Sequence, residues 1–268
     1  MLSKLLKYEY RATAKILLPL YLGVLFVIML NVLVFRIGTL YPVLGSGTPY
    51  TVIQVLLTFL CGLGLLAVLA VSFFMGIQRF YSLLGTRGYL MFSLPVTTNQ
   101  LIASKLICAV SWMTASFLLC NILFRMIGLP TEGSDLVIAP MGETLPLFVS
   151  LCLAVLSMFC CAFLFFYFCI AIGGQWPQNR LLATVVCYFV ISFLLQLLMI
   201  VGMMVLGTII YFSDIEAFGN ATQAIASAVT SYQLISIILL CMFLFFAVGS
   251  VILWLLTRYF LTRKLNLA

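Results

Sequence analysis

Six long apolar runs, each bounded by charged or turn-forming residues, set the pattern of this chain. They lie at Ile16–Phe35, Val52–Ile77, Leu106–Phe124, Leu145–Ile172, Leu181–Phe212 and Tyr232–Thr257. A bilayer-spanning helix needs ~20 consecutive apolar residues, and every run comes close to that number or exceeds it. None alternates with the period of two that an outer-membrane β-strand requires. The pattern predicts an all-α membrane protein: six transmembrane helices forming a single transmembrane domain over residues 1–268, with no nucleotide-binding domain. The first run reads as a retained span and not a cleaved signal peptide. It is too long, it contains Pro19, and no small-residue cleavage site follows.

Composition supports this reading. Hydrophobic residues make up 65% of the chain and charged residues 7%, against about 25% charged in a soluble domain. The charges sit at the edges of the apolar runs, because an ionisable side chain at mid-bilayer costs about 2.5–3.5 kcal/mol on insertion scales. They also orient the chain. With the N-terminus in the cytoplasm, six spans return the C-terminus to the same side. Lys4, Lys7, Arg11, Lys15, Arg79, Arg87, Lys105, Arg180, Arg258, Arg263 and Lys264 then lie inside, leaving only Arg36 and Arg125 outside. This satisfies the positive-inside rule. Of the acids, Glu132, Asp135, Glu143, Asp214 and Glu216 fall outside and Glu9 alone falls inside. The net charge of +7 thus reflects orientation and attraction to anionic membrane lipids, and calls for no nucleic-acid partner. Arg36 and Arg125 read as outer anchors of the first and third spans, or as steering groups for acidic cargo.

Two segments between or before the spans carry most of the detail. At about 100° per residue, Lys4, Lys7, Arg11 and Lys15 form one stripe, with Leu2, Leu5, Thr13 and Ile16 opposite. Such a segment is expected to form an amphipathic helix in the membrane interface before the chain turns into the first span. Glu9 falls on its apolar face, so the carboxylate needs a counter-charge or a route to water. Arg79, Arg87 or Lys105 can supply the charge, and a Glu9–Arg pair is expected to join this helix to the first cytoplasmic loop. That loop, residues 78–105, reads as two short apolar-aromatic helices around Gly85 and Gly88, stopped by Pro95. Thr97 and Gln100 resemble a capping box opening the third span. Phe80, Tyr81, Leu83, Leu84, Tyr89, Leu90, Met91 and Phe92 give the loop an apolar load that must be covered, by the membrane interface or by a docked protein.

Chemistry is conspicuous by what the spans lack. No histidine occurs, and the span interiors hold no charge, which leaves no proton relay, acid–base pair or intramembrane counter-ion. No phosphate-binding loop is present. All nine cysteines lie within the apolar runs with no C-x-x-C pair; they read as small packing residues between helices, with a soft-metal path through cysteines and methionines as the other reading. Gly62, Gly64, Gly202 and Gly207 read as close-packing positions, or as points that loosen helices for ion coupling through backbone carbonyls.

Leu5-Leu-Lys-Tyr-Glu-Tyr-Arg11, Gly88-Tyr-Leu-Met-Phe-Ser-Leu-Pro-Val96 and Arg258-Tyr-Phe-Leu-Thr-Arg-Lys-Leu-Asn266, together with the span number and short loops, resemble an ABC transporter permease subunit. The likeness is to the small six-span, type-2 exporter class of Gram-positive bacteria, and it covers the whole chain. It implies a non-enzymatic transport subunit in the plasma membrane, paired with a second permease copy or a sibling, and docked to two copies of a separately encoded ATPase that binds ATP and Mg; no cofactor belongs to this chain. The resemblance further implies a coupling helix between spans 2 and 3, with Arg79, Tyr81, Leu84, Arg87, Tyr89, Leu94 and Pro95 contacting the ATPase. Lys4, Lys7, Glu9, Arg11 and Lys15 would lie in a connecting helix. The second and fifth spans would line a path at the dimer interface for amphipathic or hydrophobic cargo: peptides such as toxins or antimicrobial peptides first, with lipids or drugs as other members' cargo. In larger relatives the segment before the last span is re-entrant; residues 213–231 are short for that. An ion-coupled or facilitative transporter and a non-transporting scaffold or sensor subunit are the alternatives. The orientation itself is open to test: a reporter active only outside the cytoplasm should be silent when fused after Ala268 and active when fused after Ser46 or Asp135.

Overall fold

The computed structural model describes residues 2–41, 47–83, 97–126, 141–176, 179–212 and 231–263. They form six α-helices: α1 (Leu2–Leu40), α2 (Thr48–Tyr81), α3 (Thr98–Met126), α4 (Met141–Gly173), α5 (Arg180–Phe212) and α6 (Ser231–Arg263). No strand occurs among the described residues. In hydrocarbon every backbone N–H and C=O must find its partner within the segment, which selects helices for long apolar runs. All six are long and apolar enough to cross a membrane, and each contains one of the expected runs. Their surfaces agree: Phe189, Leu198 and Met203 on α5 are each more than 60% exposed. Apolar display on that scale suits lipid, not water.

The chain divides into two compact units, Met1–Asp135 and Leu136–Ala268. In the first, α1, α2 and α3 pack against one another in all three pairings. Its core joins Leu17, Tyr21, Val24 and Ile28 of α1 to Cys61, Leu65 and Val68 of α2 and Cys120 and Leu123 of α3. The alternating spacings of three and four along α1 and α2 are those of a left-handed helix seam. Small residues let the backbones approach. A Cβ at Gly64 would lie 3.3 Å from Val24, and the Cys61 and Cys120 thiols donate to the Val27 and Leu65 carbonyls at 3.8 and 3.6 Å.

In the second unit α4 is the shared partner, packed extensively on α6 and also on α5. Phe163, Tyr167 and Cys169 of α4 are fully buried, as is Thr257 of α6. Phe168 meets Phe260 edge-on at 5.8 Å. Tyr188 of α5 stacks on Phe166 at 5.0 Å. Gly173 ends α4 where α5 begins, and a Cβ there would fall 2.7 Å from the Thr184 backbone.

Three expectations need correction. Residues 2–15 do not form a separate interfacial helix: they are the opening turns of α1, which runs 39 residues without a break, about 58 Å at 1.5 Å per residue. Nothing before Pro19 interrupts a helix there, and Pro19 itself is accommodated inside α1 on an exposed side. The packed stripe passes through Thr13, Leu17 and Tyr21, while Ile16 is half exposed. The loop expected at 78–105 is shorter, because α2 continues to Tyr81 and α3 starts at Thr98. Lys105 is therefore helical. Of the four glycines assigned to close packing, only Gly64 has a neighbour; a Cβ at Gly62, Gly202 or Gly207 would meet nothing within 4 Å. The close approaches are instead at Gly173 and at Gly38, where an added Cβ would collide with the Tyr50 ring.

These glycines divide by experiment. Gly173→Ala should lower the stability of the detergent-solubilised protein by about 1–3 kcal/mol through overpacking. Gly202→Ala and Gly207→Ala should leave it unchanged or raise it by up to about 1 kcal/mol, since helix propensity improves and nothing is displaced. Unfolding followed by circular dichroism distinguishes the two groups.

Candidate functional site

Three helix ends converge in the first unit. Glu9 lies in the early turns of α1, Arg79 in the last turn of α2, and Lys105 early in α3. The Lys105 ammonium donates to Glu9 Oε1 at 2.8 Å. Arg79 Nη1 stands 3.7 Å from Glu9 Oε2, an ion-pair distance too long for a hydrogen bond. The Lys105 side chain is 3% exposed, Glu9 11% and Arg79 31%. Glu9 thus finds its counter-charge in two of the three candidate residues, with a lysine as its nearest partner.

Sequence reasoning missed the polar seam that continues inward from this cluster. Thr13 Oγ1 and Cys108 Sγ are 3.7 Å apart, and Tyr10 OH is hydrogen-bonded to Ser111 Oγ. The Trp112 indole lies between Tyr10 and Tyr21, with ring centroids at 6.2 and 6.0 Å. Tyr21 OH shares a 2.6 Å hydrogen bond with Ser116 Oγ, which is 2.5 Å from Ser72 Oγ. Further along, the fully buried Asn31 donates from Nδ2 to Thr58 Oγ1 at 3.1 Å, and Thr58 donates to the Gln54 carbonyl at 2.8 Å. The clue was spacing: Glu9, Thr13, Leu17 and Tyr21 follow at steps of four, so each neighbours the next along a slowly winding row on α1.

Two concavities adjoin the seam. A chamber of about 10 Å³ lies beside the ion cluster, with Glu9, Thr13, Ser72, Arg79, Lys105 and Trp112 among its walls. A wider, open and shallow groove runs along α2, lined by residues of that helix alone: Gln54, Val55, Thr58, Phe59, Gly62, Leu63, Leu65 and Leu66. Gly62 was expected to pack against a helix. It forms part of the groove wall instead, which is why nothing lies within 4 Å of it.

No family model, curated protein or solved structure matches this chain.

Of the expected connecting-helix residues, Lys4, Lys7, Arg11 and Lys15 are exposed on α1, and Glu9 is turned into the unit. Of the expected coupling residues, Arg79 and Tyr81 end α2; Leu84, Arg87, Tyr89, Leu94 and Pro95 lie outside the described residues, as do residues 213–230. All nine thiols are free: Cys61, Cys108, Cys120 and Cys169 are buried, whereas Cys152 and Cys241 are exposed and so do not serve as packing residues within the chain. Among the described residues no group of three His, Cys, Asp or Glu side chains is placed to hold a metal ion.

Removing one member of a buried ion pair strands the other, at a cost of about 3–5 kcal/mol. Glu9→Gln and Lys105→Met should each destabilise the protein on that scale, and the double variant should lose much less than their sum. Arg79→Ala, at a longer distance and partly exposed, should cost below about 1 kcal/mol. A double-mutant cycle in detergent measures the coupling; additive losses would refute an energetic pairing of Glu9 with Lys105.

Proposed function

We propose that this chain is the permease subunit of an ATP-driven exporter, an ABC-type transporter whose ATPase is a separate protein, and that its cargo is amphipathic or hydrophobic. Peptides of the toxin or antimicrobial kind suit this best. The observation that carries the reading is the α2 groove. It is an open face of α2, every lining residue coming from that one helix. Its wall is apolar except for Gln54 and Thr58, so it offers a greasy surface with one polar rung. Cargo with one apolar face and one polar face matches that wall.

The energy source in this reading lies outside the chain. At one end of the first unit Glu9, Lys105 and Arg79 bring three helices together. Arg79 opens the segment proposed to dock the ATPase, residues 79–94, and Lys105 lies beyond its far end. A brace at the base of that segment would let motion of the docked motor reach α1, α2 and α3 together. The remaining parts of the proposal are a plasma-membrane location, cytoplasmic termini, and pairing with a second permease subunit.

Expression of the full chain with the ABC ATPase encoded beside it should yield a stoichiometric complex whose ATP hydrolysis is stimulated by cargo peptide. Arg87→Ala or Leu94→Ala should abolish stimulation while the spans stay folded. Gly62→Leu should fill the groove and lower peptide export about tenfold or more, equivalent to about 1.4 kcal/mol, with no loss of thermal stability. An export rate untouched by Gly62→Leu would overturn the assignment of the groove. Failure of any ATPase to co-purify would favour a facilitative transporter or a scaffold.

A further inference from the structure

We propose that the chamber beside Glu9 is a binding site for one structural water, held jointly by Trp112 and the ion cluster. The site is independent of the transport reading, because it rests only on the packing of α1, α2 and α3.

Size limits the occupant. A chamber of about 10 Å³ is at the threshold for a single water, too small for a phosphate or a carboxylate group. The character of the wall determines whether it is wet. Apolar cavities of this kind stay dry, whereas a water settles where two to four polar partners converge. Here Glu9, Thr13, Ser72, Arg79 and Lys105 share the wall with Leu17, Met75, Ala109 and Trp112.

Unfilled hydrogen-bonding capacity then selects the site. Trp112 Nε1 is buried and has no hydrogen-bond partner among the described residues. An indole N–H can only donate, so it requires an acceptor. The carboxylate that shares the chamber is bound at Oε1 by Lys105 at 2.8 Å, whereas its Oε2 lies 3.7 Å from Arg79. That second oxygen therefore has room for a further donor. An ammonium carries three N–H groups, and Lys105, at 3% exposure, directs one of them to Glu9. A water supplies what each group needs: it accepts from the indole N–H with one lone pair and from a cation with the other, and it donates to the carboxylate. Such bridging waters are nearly as favourable as direct hydrogen bonds. The bound water would link Trp112, and through its ring contacts Tyr10 and Tyr21, to the three charges.

The site can be tested in the full chain. A structure of the unaltered protein at a resolution that shows waters should reveal one peak within hydrogen-bond distance of Trp112 Nε1 and of at least one of Glu9, Lys105 and Arg79. No peak, or a protein acceptor for Nε1, overturns the proposal. Bromide exchange checks the occupant: an anomalous peak in the chamber would identify a halide site and also overturn it. Ultraviolet resonance Raman gives an independent readout. The chain has three tryptophans, so Trp176→Phe with Trp254→Phe leaves Trp112 as the sole indole. Its N–H band should sit at the hydrogen-bonded position, and a band at the free position would refute the site. Trp112→Phe should remove the water peak while Glu9 and Lys105 remain paired.

Discussion

A charge brought into a helical bundle must arrive with its partner, and the first unit is organised around that constraint. Glu9 and Lys105 are almost fully buried, and the desolvation of two such ions is repaid only by close geometry and further hydrogen bonds. Meeting those terms fixes the register of three helices at once: Glu9 comes from α1, Lys105 from α3, and Arg79 from the last turn of α2. It also accounts for the unbroken α1. A chain that bent into the interface ahead of its first span would separate Glu9 from the stripe of Thr13, Leu17 and Tyr21 that packs with it. A buried pair is weak evidence for net stability, since an apolar replacement is often as good. What it supplies here is position, because a register slip on any helix would strand a charge.

The polar seam extends the same logic to neutral groups. In hydrocarbon the drive to bring helices together is packing plus interhelical hydrogen bonding, and small polar side chains serve both. Tyr21, Ser116 and Ser72 join all three helices of the unit through two contacts. Each serine also lies within hydrogen-bond reach of a carbonyl of its own helix, Ser116 of Trp112 and Ser72 of Val68; with one hydroxyl proton each, the serine that donates across the seam gives up its own-helix bond. These groups therefore have partners before the helices meet. Interhelical bonds of this kind are worth about 0.6 kcal/mol on average, so they tune alignment while Leu17, Val24, Ile28 and Val68 provide most of the burial.

Much of this was legible in the sequence because lipid imposes strict rules. Span number and approximate ends follow from run length and charge position, and every expected run lies inside a helix. Glu9 stood out as a carboxylate on an apolar face, and its partners came from the right short list. Other features were not legible, for identifiable reasons. A glycine at a helix seam and a glycine in a groove wall have the same local sequence, so Gly64 and Gly62, two residues apart, read alike although only one touches a neighbour. Ser72, Ser111 and Ser116 carry no charge and interrupt no apolar run, so nothing in a hydropathy pattern distinguishes a seam serine from one bonded only to its own helix. Where α1 begins was hidden because an amphipathic interfacial helix and the first turns of a long packed helix share the same period.

The two concavities of the first unit differ in a way that bears on how the proposed permease would work. The chamber is tight and lies at the converging helix ends, walled by the charges together with Leu17, Met75 and Ala109. The groove is wide, apolar and open, along a stretch of α2 where Val55, Phe59, Leu63 and Leu66 are exposed. A helix that packs closely along one face and displays apolar side chains along the other can shift as a rigid body with the helices it packs on. α2 has both properties. In the proposed permease a displacement applied at the coupling segment, residues 79–94, would pass through the packed core of Leu17, Val24, Cys61, Leu65 and Val68, so α1, α2 and α3 would move as one body. The groove would travel with them, and cargo seated on it would be displaced without the ion cluster having to break.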